Sequence, residues 1–383
     1  MGGRTILISP LNWGFGHAGR MIPLALELKR RGNDVVFGAD AQLLPLLENE
    51  LPGIRLIEIP GLRIRYSVFL PQWLCIFMQL PVVVLNAFRE HFALRKIAGE
   101  VKPSVIISDN RFGFFHREIF SVYVTHQLRI PFPRGLSFME PFAARLHRKI
   151  TGRYDLCLVP DWPGPVNFSG RLSHGLKLPG NVHYMGPLSR FMMTVPSEAA
   201  PALRHPYCCL ILSGPEPQRT VLLEKVCVAL HGFQLCVLSA APVQTAMKEN
   251  EAIDFFIKPD AGTMRRLIEG SSLVITRSGY TSVMELTSLG KGAILIPTPG
   301  QPEQEYLGEY LGGRYGFITL GQQHIGRLRA LAEEKMTGAA LTEPPPCQFS
   351  ETASPAENSA PQFSDGAWMF EQAVNLLPDQ KKE

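Results

Sequence analysis

The sequence has few of the features that mark disulfide-rich, zinc-binding or secreted proteins. Its seven cysteines are an odd number and form no C-x-x-C pair, which argues against a zinc site and a disulfide framework. Several lie within apolar runs, such as Cys157 in DLCLVP and Cys236 in QLCVLS, where buried reduced thiols are expected. The N-terminal MGGRTILISP lacks the long apolar core of a signal peptide. We therefore expect a cytoplasmic protein.

Charge is also scarce in this chain. Charged residues make up 19% of the 383 residues, the formal net charge is +4, and neither a basic run nor a nucleic-acid-binding motif occurs. Such a small excess argues against nucleic acid as a partner, and it is compatible with an anionic substrate or a lipid surface.

One long uncharged run, Tyr66–Phe88, lies between Arg65 and Arg89. A membrane crossing needs about 20 apolar residues, so its length would suffice. Prolines at 71 and 81 and several amide side chains interrupt it, and strand and helix patterns continue on both sides, which argues against an integral span. A buried pair of core helices, the lining of an acceptor groove and a contact with the bilayer surface remain as interpretations.

Apolar runs of strand length alternate with helical patterns. Thr5–Ser9 is a short apolar run, Ala18–Arg31 has apolar residues at helical spacing, Gly32 is placed as a helix stop, and a second strand follows in DVVFGAD. This is a βαβ unit, and its repetition predicts the α/β class with two Rossmann-like, doubly wound domains.

The boundaries follow from where this rhythm lapses. Pro- and Ala-rich sequence over Thr194–Pro206 predicts a linker, and a second series begins with the strand Tyr207–Leu212. We therefore predict an N-terminal domain over 1–195 and a C-terminal domain over 206–337. A Pro/Ser-rich segment over 338–366 has linker composition, and an apolar cluster over 367–378 predicts a final amphipathic helix.

The first segment that could carry chemistry is the loop between strand one and the first helix. It contains His17 and the glycines Gly14, Gly16 and Gly19. Glycines allow close approach of a ligand, and helix N-termini favour phosphate oxygens. The spacing also fits the dinucleotide pattern G-x-G-x-x-G, with Asp40 as the ribose partner. His17 could act as a base, a phosphate contact or a polar cap.

Two further segments follow strands in the C-terminal half. In the first, Arg277-Ser278-Gly279 leads into a helix that carries Thr281 and Glu285. This is a helix N-terminus suited to an anion, and the Glu285 carboxylate could accept both hydroxyls of a ribose; a simple capping arrangement is the alternative. In the second, a Pro/Gly loop precedes Gln304, which could read sugar hydroxyls or simply begin a helix.

Together these two segments resemble the C-terminal donor region of family 28 glycosyltransferases, which include the bacterial N-acetylglucosaminyltransferase of peptidoglycan synthesis. The residues in register are Arg277-Ser278-Gly279, Glu285, Leu289-Gly290-Lys291-Gly292 and Gln304. The N-terminal loop ending in Gly16-His17 and the segment Thr125-His126-Gln127 look like two further family segments. Ser213-Gly214-Pro215 departs from the family's G-G-S-x-G, and the glutamate of its H-E-Q is absent.

The resemblance implies the GT-B architecture of two facing Rossmann-like domains. It also implies a UDP-sugar donor in the C-terminal domain, an acceptor under the N-terminal one, and inverting transfer without a metal or other cofactor. The absence of a D-x-D triplet agrees with a metal-free site. A lipid-linked acceptor would be met at the inner face of the cell membrane, with peripheral contact.

The sequence therefore predicts a hexosyltransferase that moves a hexose or N-acetylhexosamine to a glycan or lipid-linked acceptor of the cell envelope. His17 is the expected base, because imidazole titrates near neutrality, and His126 and Asp109 are the other catalytic candidates. The donor candidates are Ser213, Gly214, Arg277, Ser278, Gly279, Thr281, Glu285 and Gln304, and the acceptor loop contains Gly14 and Gly16. A nucleotide-sugar 2-epimerase and a non-catalytic nucleotide-sugar-binding protein are the alternatives.

Overall fold

The computed structural model describes residues 3–12, 15–62, 64–67, 70–199, 201, 203–243, 251–336 and 370–378. The chain divides into two compact units. The N-terminal unit takes in Met1–Arg65, Trp73–Arg190 and the C-terminal residues from Pro361; the C-terminal unit takes in Tyr66–Gln72 and Phe191–Ala360. Gly14 and the segment 338–366 lie outside the described residues.

Within its described residues the N-terminal unit is built on a seven-stranded sheet with the order β3-β2-β1-β4-β5-β6-β7. All its pairings are parallel. Its strands are β1 (Thr5–Pro10), β2 (Asp34–Ala39), β3 (Arg55–Glu58), β4 (Val105–Asp109), β5 (Phe120–Val124), β6 (Leu156–Val159) and β7 (Val182–Tyr184). Its helices are α1 (Phe15–Arg30), α2 (Leu44–Glu50), α3 (Gln72–Met78), α4 (Leu80–Val101) and α5 (Glu140–Thr151). Gln72, the first residue of α3, is assigned to the C-terminal unit.

The first βαβ unit forms as its sequence predicts. α1 buries Met21, Leu24 and Leu28 at helical spacing, and each such side chain contributes about 1.5–3 kcal/mol when it leaves water. The helix ends before Gly32, whose φ of +84° is a conformation that favours glycine. The core of this sheet gathers around Leu7, which lies beside its strand partner Val36.

The C-terminal unit is a second parallel sheet of six strands within the described residues, with the order β10-β9-β8-β11-β12-β13. Its strands are β8 (Cys208–Leu212), β9 (Leu235–Ser239), β10 (Ile253–Ile257), β11 (Leu273–Thr276), β12 (Ile294–Leu295) and β13 (Ile318–Thr319). Its helices are α6 (Gln218–Ala229), α7 (Ala261–Gly270), α8 (Tyr280–Ser288), α9 (Pro302–Leu311) and α10 (Leu328–Met336). β8 and β11, at the centre of the order, are fully buried, as continuous apolar runs predict.

The uncharged run of the sequence continues from Tyr66–Gln72, a short segment assigned to the C-terminal unit, through α3 into the first residues of α4. Most apolar side chains of its described residues are not buried. Within α4, the buried residues are Glu90 and Leu94, whereas Phe88 is 61% exposed. The interpretation of this run as a buried pair of core helices is therefore wrong. Among the described residues no single helix could cross a membrane by length and composition; α3 and α4 pass that test only as a pair bent by 61°.

The C-terminal segment returns to the N-terminal unit. Residues 370–375 are helical, and Phe370, Ala373 and Val374 are buried. Arg31 donates from Nη1 to Asn375 Oδ1 at 2.7 Å, and Arg4 donates to the carbonyl of Pro378. Of the helix predicted over 367–378, residues 376–378 are described and are not helical, and residues 367–369 lie outside the described residues.

Candidate active site

In the N-terminal unit the strand order reverses between β1 and β4, since β2 and β3 lie on one side and β5 to β7 on the other. Parallel α/β sheets bind ligands at the carboxyl ends of the strands that flank such a switch point. α1 begins just beyond β1, Asp109 ends β4, and His126 follows β5. Residues far apart in the sequence therefore meet at one edge of the sheet.

Four side chains form a cluster at this edge. Arg20 donates from Nε to Asp109 Oδ2 at 2.8 Å and from Nη2 to Asp109 Oδ1, a two-pronged ion pair. Its Nη1 donates to His126 Nδ1 at 3.0 Å, and its Nη2 lies 3.0 Å from His17 Nδ1. His17 Nδ1 also lies 3.1 Å from Asp109 Oδ2. The structure thus unites the three catalytic candidates around Arg20, which the sequence analysis missed.

Burial and charge compete at Asp109, which is inaccessible to solvent. Burial alone would raise the pKa of its carboxyl group, but the charge of Arg20 and the hydrogen bond with His17 lower that pKa to about 2. Asp109 is therefore an anion at neutral pH. Its carboxylate can accept a hydrogen bond from His17 Nδ1 when that nitrogen carries a proton. The His17 side chain remains 18% exposed.

Backbone hydrogen bonds hold the loops that carry this cluster. Leu11 N donates to the carbonyl of Asp109 at 2.8 Å, which ties the chain after β1 to the end of β4. Thr125 Oγ1 accepts the amide of Gln127 at 3.0 Å, a local turn that presents the intervening His126. His17 and Arg20 share one face of α1 because they are three residues apart.

A second buried arginine holds neighbouring strand ends. Arg111 donates from Nε to the carbonyl of Pro10 at 2.9 Å and from Nη2 to that of Ile59 at 3.4 Å. Its Nε lies 3.8 Å from Glu90 Oε1, and burial raises the pKa of the Glu90 carboxyl group. Arg111 therefore fixes the ends of β1 and β3 behind the cluster.

In the C-terminal unit the order reverses between β8 and β11. Ser213 and Gly214 follow β8; Gly214 is exposed, has a φ of +100°, and a Cβ there would meet no atom within 4 Å. The start of α6 is already filled, because Glu216 Oε2 accepts the amide of Thr220 at 3.2 Å and its hydroxyl at 2.9 Å. An anionic ligand would therefore meet a carboxylate at that helix end.

The start of α8 differs from that of α6. Its N-cap is Gly279, which is extended and provides no side-chain cap, and space is open around its Cα. Thr281 is partly exposed in the first turn. The cap residue of α8 therefore places no carboxylate at the positive end of the helix dipole, whereas Glu216 does so at α6. This difference favours α8 over α6 as the position for an anion.

The other donor candidates brace these loops. Arg277 is buried and donates from Nη1 to Gln322 Oε1 and from Nη2 to the carbonyl of Gln218, both at 2.8 Å, while burial lowers its pKa to about 10. Ser278 Oγ donates to the carbonyl of Gln304 at 2.7 Å, and Gln304 Oε1 accepts the amide of Thr298 at 2.9 Å. Their contacts fix the loops after β11 and β12 and the start of α6.

Glu285 lies in α8, six residues after Gly279, and is 5% exposed. A buried carboxylate is costly unless polar groups surround it.

In the N-terminal unit, Gly16 is exposed, and Asp40 Oδ1 accepts a hydrogen bond from the amide of Gln42 at 3.1 Å. Asp40, the ribose partner of the dinucleotide alternative, thus has a local turn contact.

The comparisons with known proteins agree with this architecture. Residues 239–325 match the model of the Glycosyltransferase family 28 C-terminal domain. An uncharacterized glycosyltransferase of Methanosarcina acetivorans is 24% identical over 360 residues, 86% of this chain and 88% of the relative. A UDP-N-acetylglucosamine–N-acetylmuramyl-(pentapeptide) pyrophosphoryl-undecaprenol N-acetylglucosamine transferase of Anaeromyxobacter is 28% identical over 303 residues, 74% of this chain and 71% of the relative.

Two solved structures share the fold across nearly the whole chain. The calicheamicin glycosyltransferase CalG4 superposes with a TM-score of 0.58 at 12% identity, over 98% of this chain and 95% of that one. A protein of Listeria monocytogenes assigned as a UDP-N-acetylglucosamine 2-epimerase gives 0.60 at 15% identity, over the same shares. The family 28 resemblance, the two-domain α/β GT-B fold and the prediction of a glycosyltransferase are confirmed.

Proposed function

We propose that this glycosyltransferase moves a hexose or N-acetylhexosamine from a UDP-sugar to a hydroxyl of a glycan or lipid-linked acceptor. The observation that carries the proposal is the cluster of His17, Arg20 and Asp109 at the switch point of the first sheet. An imidazole backed by a buried anion is a suitable base for a hydroxyl group. The family 28 match covers residues 239–325, which include α8 and Glu285 of the proposed donor site.

In the proposed reaction the acceptor oxygen bonds to C1 of the sugar while its proton passes to His17 Nε2. The bond between C1 and the diphosphate oxygen breaks, and the leaving diphosphate keeps the electron pair. A single displacement of this kind inverts the configuration at C1. Asp109 stabilises the imidazolium through Nδ1. General base catalysis by a positioned imidazole typically contributes about 10²- to 10⁴-fold in rate.

The donor binds in the C-terminal unit. The first turn of α8, with Gly279 and Thr281, and the open loop at Ser213 and Gly214 offer amides and hydroxyls to the diphosphate. The Glu285 carboxylate accepts hydrogen bonds from the ribose hydroxyls. Arg277, Ser278 and Gln304 act through the loops that they brace rather than by direct contact.

Calorimetric titration with UDP, GDP, dTDP, NAD and NADP tests the donor assignment. We expect micromolar binding of UDP, and we expect Glu285→Gln to weaken it about tenfold or more, because hydrogen bonds to a charged group are worth about 1.5–3 kcal/mol. Glu224→Gln, at an exposed glutamate of α6, is the matched control and should bind like the wild type. Tight binding of NAD without a response to UDP would overturn the proposal.

The epimerase alternative has one observation in its favour, the fold shared with the Listeria protein. An epimerase converts the free UDP-sugar without any acceptor, whereas the proposed transfer consumes the donor only when an acceptor hydroxyl is present. Proton NMR of the sugar C1 and C2 signals, recorded with and without acceptor, separates the two reactions.

We further propose that the N-terminal unit touches an anionic lipid surface, where a lipid-linked acceptor would be found. α4 presents Leu80, Val84, Phe88 and Phe92 at intervals of four residues, each between 48% and 65% exposed. A second stripe contains Phe138, Phe142 and Leu146, exposed by 75%, 71% and 54%. Monomeric soluble proteins rarely expose such apolar surface without a function.

Exposed basic residues accompany both stripes, namely Arg89, Arg95 and Lys96 on α4 and Arg145, Arg148 and Lys149 on α5. Each could add about 1 kcal/mol near anionic lipid. We expect the protein to sediment with vesicles that contain phosphatidylglycerol, and Phe88→Ser/Phe92→Ser to reduce the bound fraction several-fold. The control is Val228→Ser, at a 68% exposed position of α6. Equal binding of both variants would contradict this surface.

A further inference from the structure

The residue that follows Asp109 has an uncommon backbone conformation. Asn110 has a φ of +56°, in the left-handed region, and Ser108 Oγ closes the turn around it by donating to the carbonyl of Arg111 at 2.9 Å. Asparagine and glycine adopt this region more readily than other residues, and such conformations persist where the surrounding structure holds them. Because Asp109 lies directly before this residue, the contacts that hold Asn110 also bear on the carboxylate beside His17.

Two contacts with β5 hold Asn110. Its amide donates to the carbonyl of Val124 at 3.1 Å, and its side-chain Oδ1 accepts from the hydroxyl of Tyr123 at 3.2 Å. The first contact continues the pairing of β4 with β5, in which Asp109 lies opposite Val124. The second contact joins two side chains and is not part of the strand pairing. Tyr123 therefore ties the turn after Asp109 to the neighbouring strand.

The Tyr123 hydroxyl is itself fixed in place. The residue is 0% exposed, and its ring packs against Tyr154 with 4.8 Å between the ring centroids. Its oxygen also lies 3.3 Å from His147 Nε2, and a hydroxyl can donate one hydrogen bond and accept others. Burial raises the pKa of Tyr123 well above its ordinary value of 10, and the charge of Asp109 adds to the shift. The phenol therefore keeps its proton at neutral pH.

We propose that Tyr123 and Asn110 are positioning residues for the proton transfer. Their hydrogen bond holds the turn, and the turn holds the Asp109 carboxylate against Arg20 and His17. They act through this carboxylate rather than on the substrate. The inference deepens the proposed function and rests on it for the reaction that Asp109 supports.

The placement of Asp109 can be measured without any turnover. Burial opposes ionisation of this carboxyl group, but the charges of Arg20 and His17 lower its pKa to about 2. Carbon-13 NMR of the aspartate carboxyl signals, with Asp109 assigned by its loss in Asp109→Asn, should show it ionised down to about pH 3. In Tyr123→Phe the carboxylate is held less firmly against its partners, so we expect its midpoint to rise towards the ordinary value of 3.8.

A second buried hydroxyl provides the matched control. Tyr184 lies in β7 of the same unit, and its hydroxyl donates to the carbonyl of Ser173 at 2.8 Å. Tyr184→Phe removes a similar hydrogen bond and should leave the Asp109 midpoint unchanged. The same midpoint in Tyr123→Phe as in the wild type would overturn the positioning role.

A double-variant cycle tests whether the two residues act together. Asn110→Gly removes the side chain and retains a residue that adopts positive φ freely. A misplacement of about 1 Å can cost about 10²-fold in rate, so we expect Tyr123→Phe and Asn110→Gly each to lower kcat by about 10- to 100-fold. KM for the UDP-sugar should not change, because the donor is assigned to the other unit. The double variant should lose no more than either single variant. Losses that multiply, or a rise in KM at constant kcat, would count against the proposal.

The NMR and kinetic measurements separate this inference from the proposed function. If the wild type bound UDP and transferred sugar to no acceptor hydroxyl, the proposed function would fail. The titration of Asp109 would still decide whether Tyr123 positions the carboxylate. If the wild type transferred sugar and Tyr123→Phe retained both kcat and the Asp109 midpoint, the positioning role would fail and the function would stand.

Discussion

At the scale of single residues, the cluster depends on charges that are buried together. Arg20 and Asp109 are 1% and 0% exposed, so neither can exchange its partner for water. Removing one member of a buried ion pair typically costs about 3–5 kcal/mol, because the other charge remains uncompensated. Replacing both by apolar residues of similar volume costs much less.

We therefore expect Asp109→Asn to lower the free energy of unfolding by several kcal/mol at pH 7. The double variant Asp109→Leu/Arg20→Met should be less destabilised than Asp109→Leu alone or Arg20→Met alone. Urea unfolding, monitored by circular dichroism, measures the unfolding free energy of each variant. Asp34→Asn, at an exposed carboxylate that begins β2, is the control and should change stability little. Additive losses in the double variant would show that the pair is not energetically linked.

The same carboxylate predicts a dependence of stability on pH. Its pKa in the folded protein is about 2, below the ordinary value of 3.8, so the folded state binds the proton more weakly than the unfolded state. The stabilisation is fully present above about pH 5 and is lost as the pH falls from there towards 2, by roughly 2 kcal/mol in all. In Asp109→Asn the slope of the unfolding free energy between pH 5 and pH 2 should be smaller. An unchanged slope would exclude Asp109 as its source.

At the scale of elements, the sequence predicted the strands well because parallel strands buried on both faces are continuous apolar runs. The predicted strands Thr5–Ser9 and Tyr207–Leu212 match β1 and β8 to within one residue, and the glycine stop after α1 is confirmed by its positive φ. The exposure of the apolar side chains on α4 could not be predicted, because an apolar composition does not show whether other parts of the protein pack against those side chains.

The candidate site was predictable only in part. His17, Asp109 and His126 were each singled out as polar residues after apolar strands, yet their meeting depends on the order of β1, β4 and β5 in the sheet. Arg20 resembles any charged residue of an amphipathic helix. Its spacing of three from His17 was the one available signal. Contacts across 92 residues of sequence, such as His17 with Asp109, require the tertiary fold.

At the scale of the whole molecule, each unit has its own sheet and its own buried apolar core. The proposal assigns the donor to one unit and the proton acceptor to the other. A ligand that binds the native state stabilises it by RT ln(1 + [L]/Kd), which is about 2.7 kcal/mol at a concentration of 100 Kd. This stabilisation should reach only the part of the chain that unfolds together with the ligand site.

Hydrogen exchange measured by mass spectrometry can locate that part. With UDP at 100 Kd, we expect exchange through unfolding to slow by about 100-fold in peptides of β8, β11 and α8, and much less in peptides of β1, β4 and β5. Glu285→Gln at the same UDP concentration should show weaker protection in the same peptides. Equal slowing in both units would mean that they unfold as one. Protection confined to β1, β4 and β5 would place the nucleotide in the N-terminal unit and contradict the proposed division between donor and acceptor.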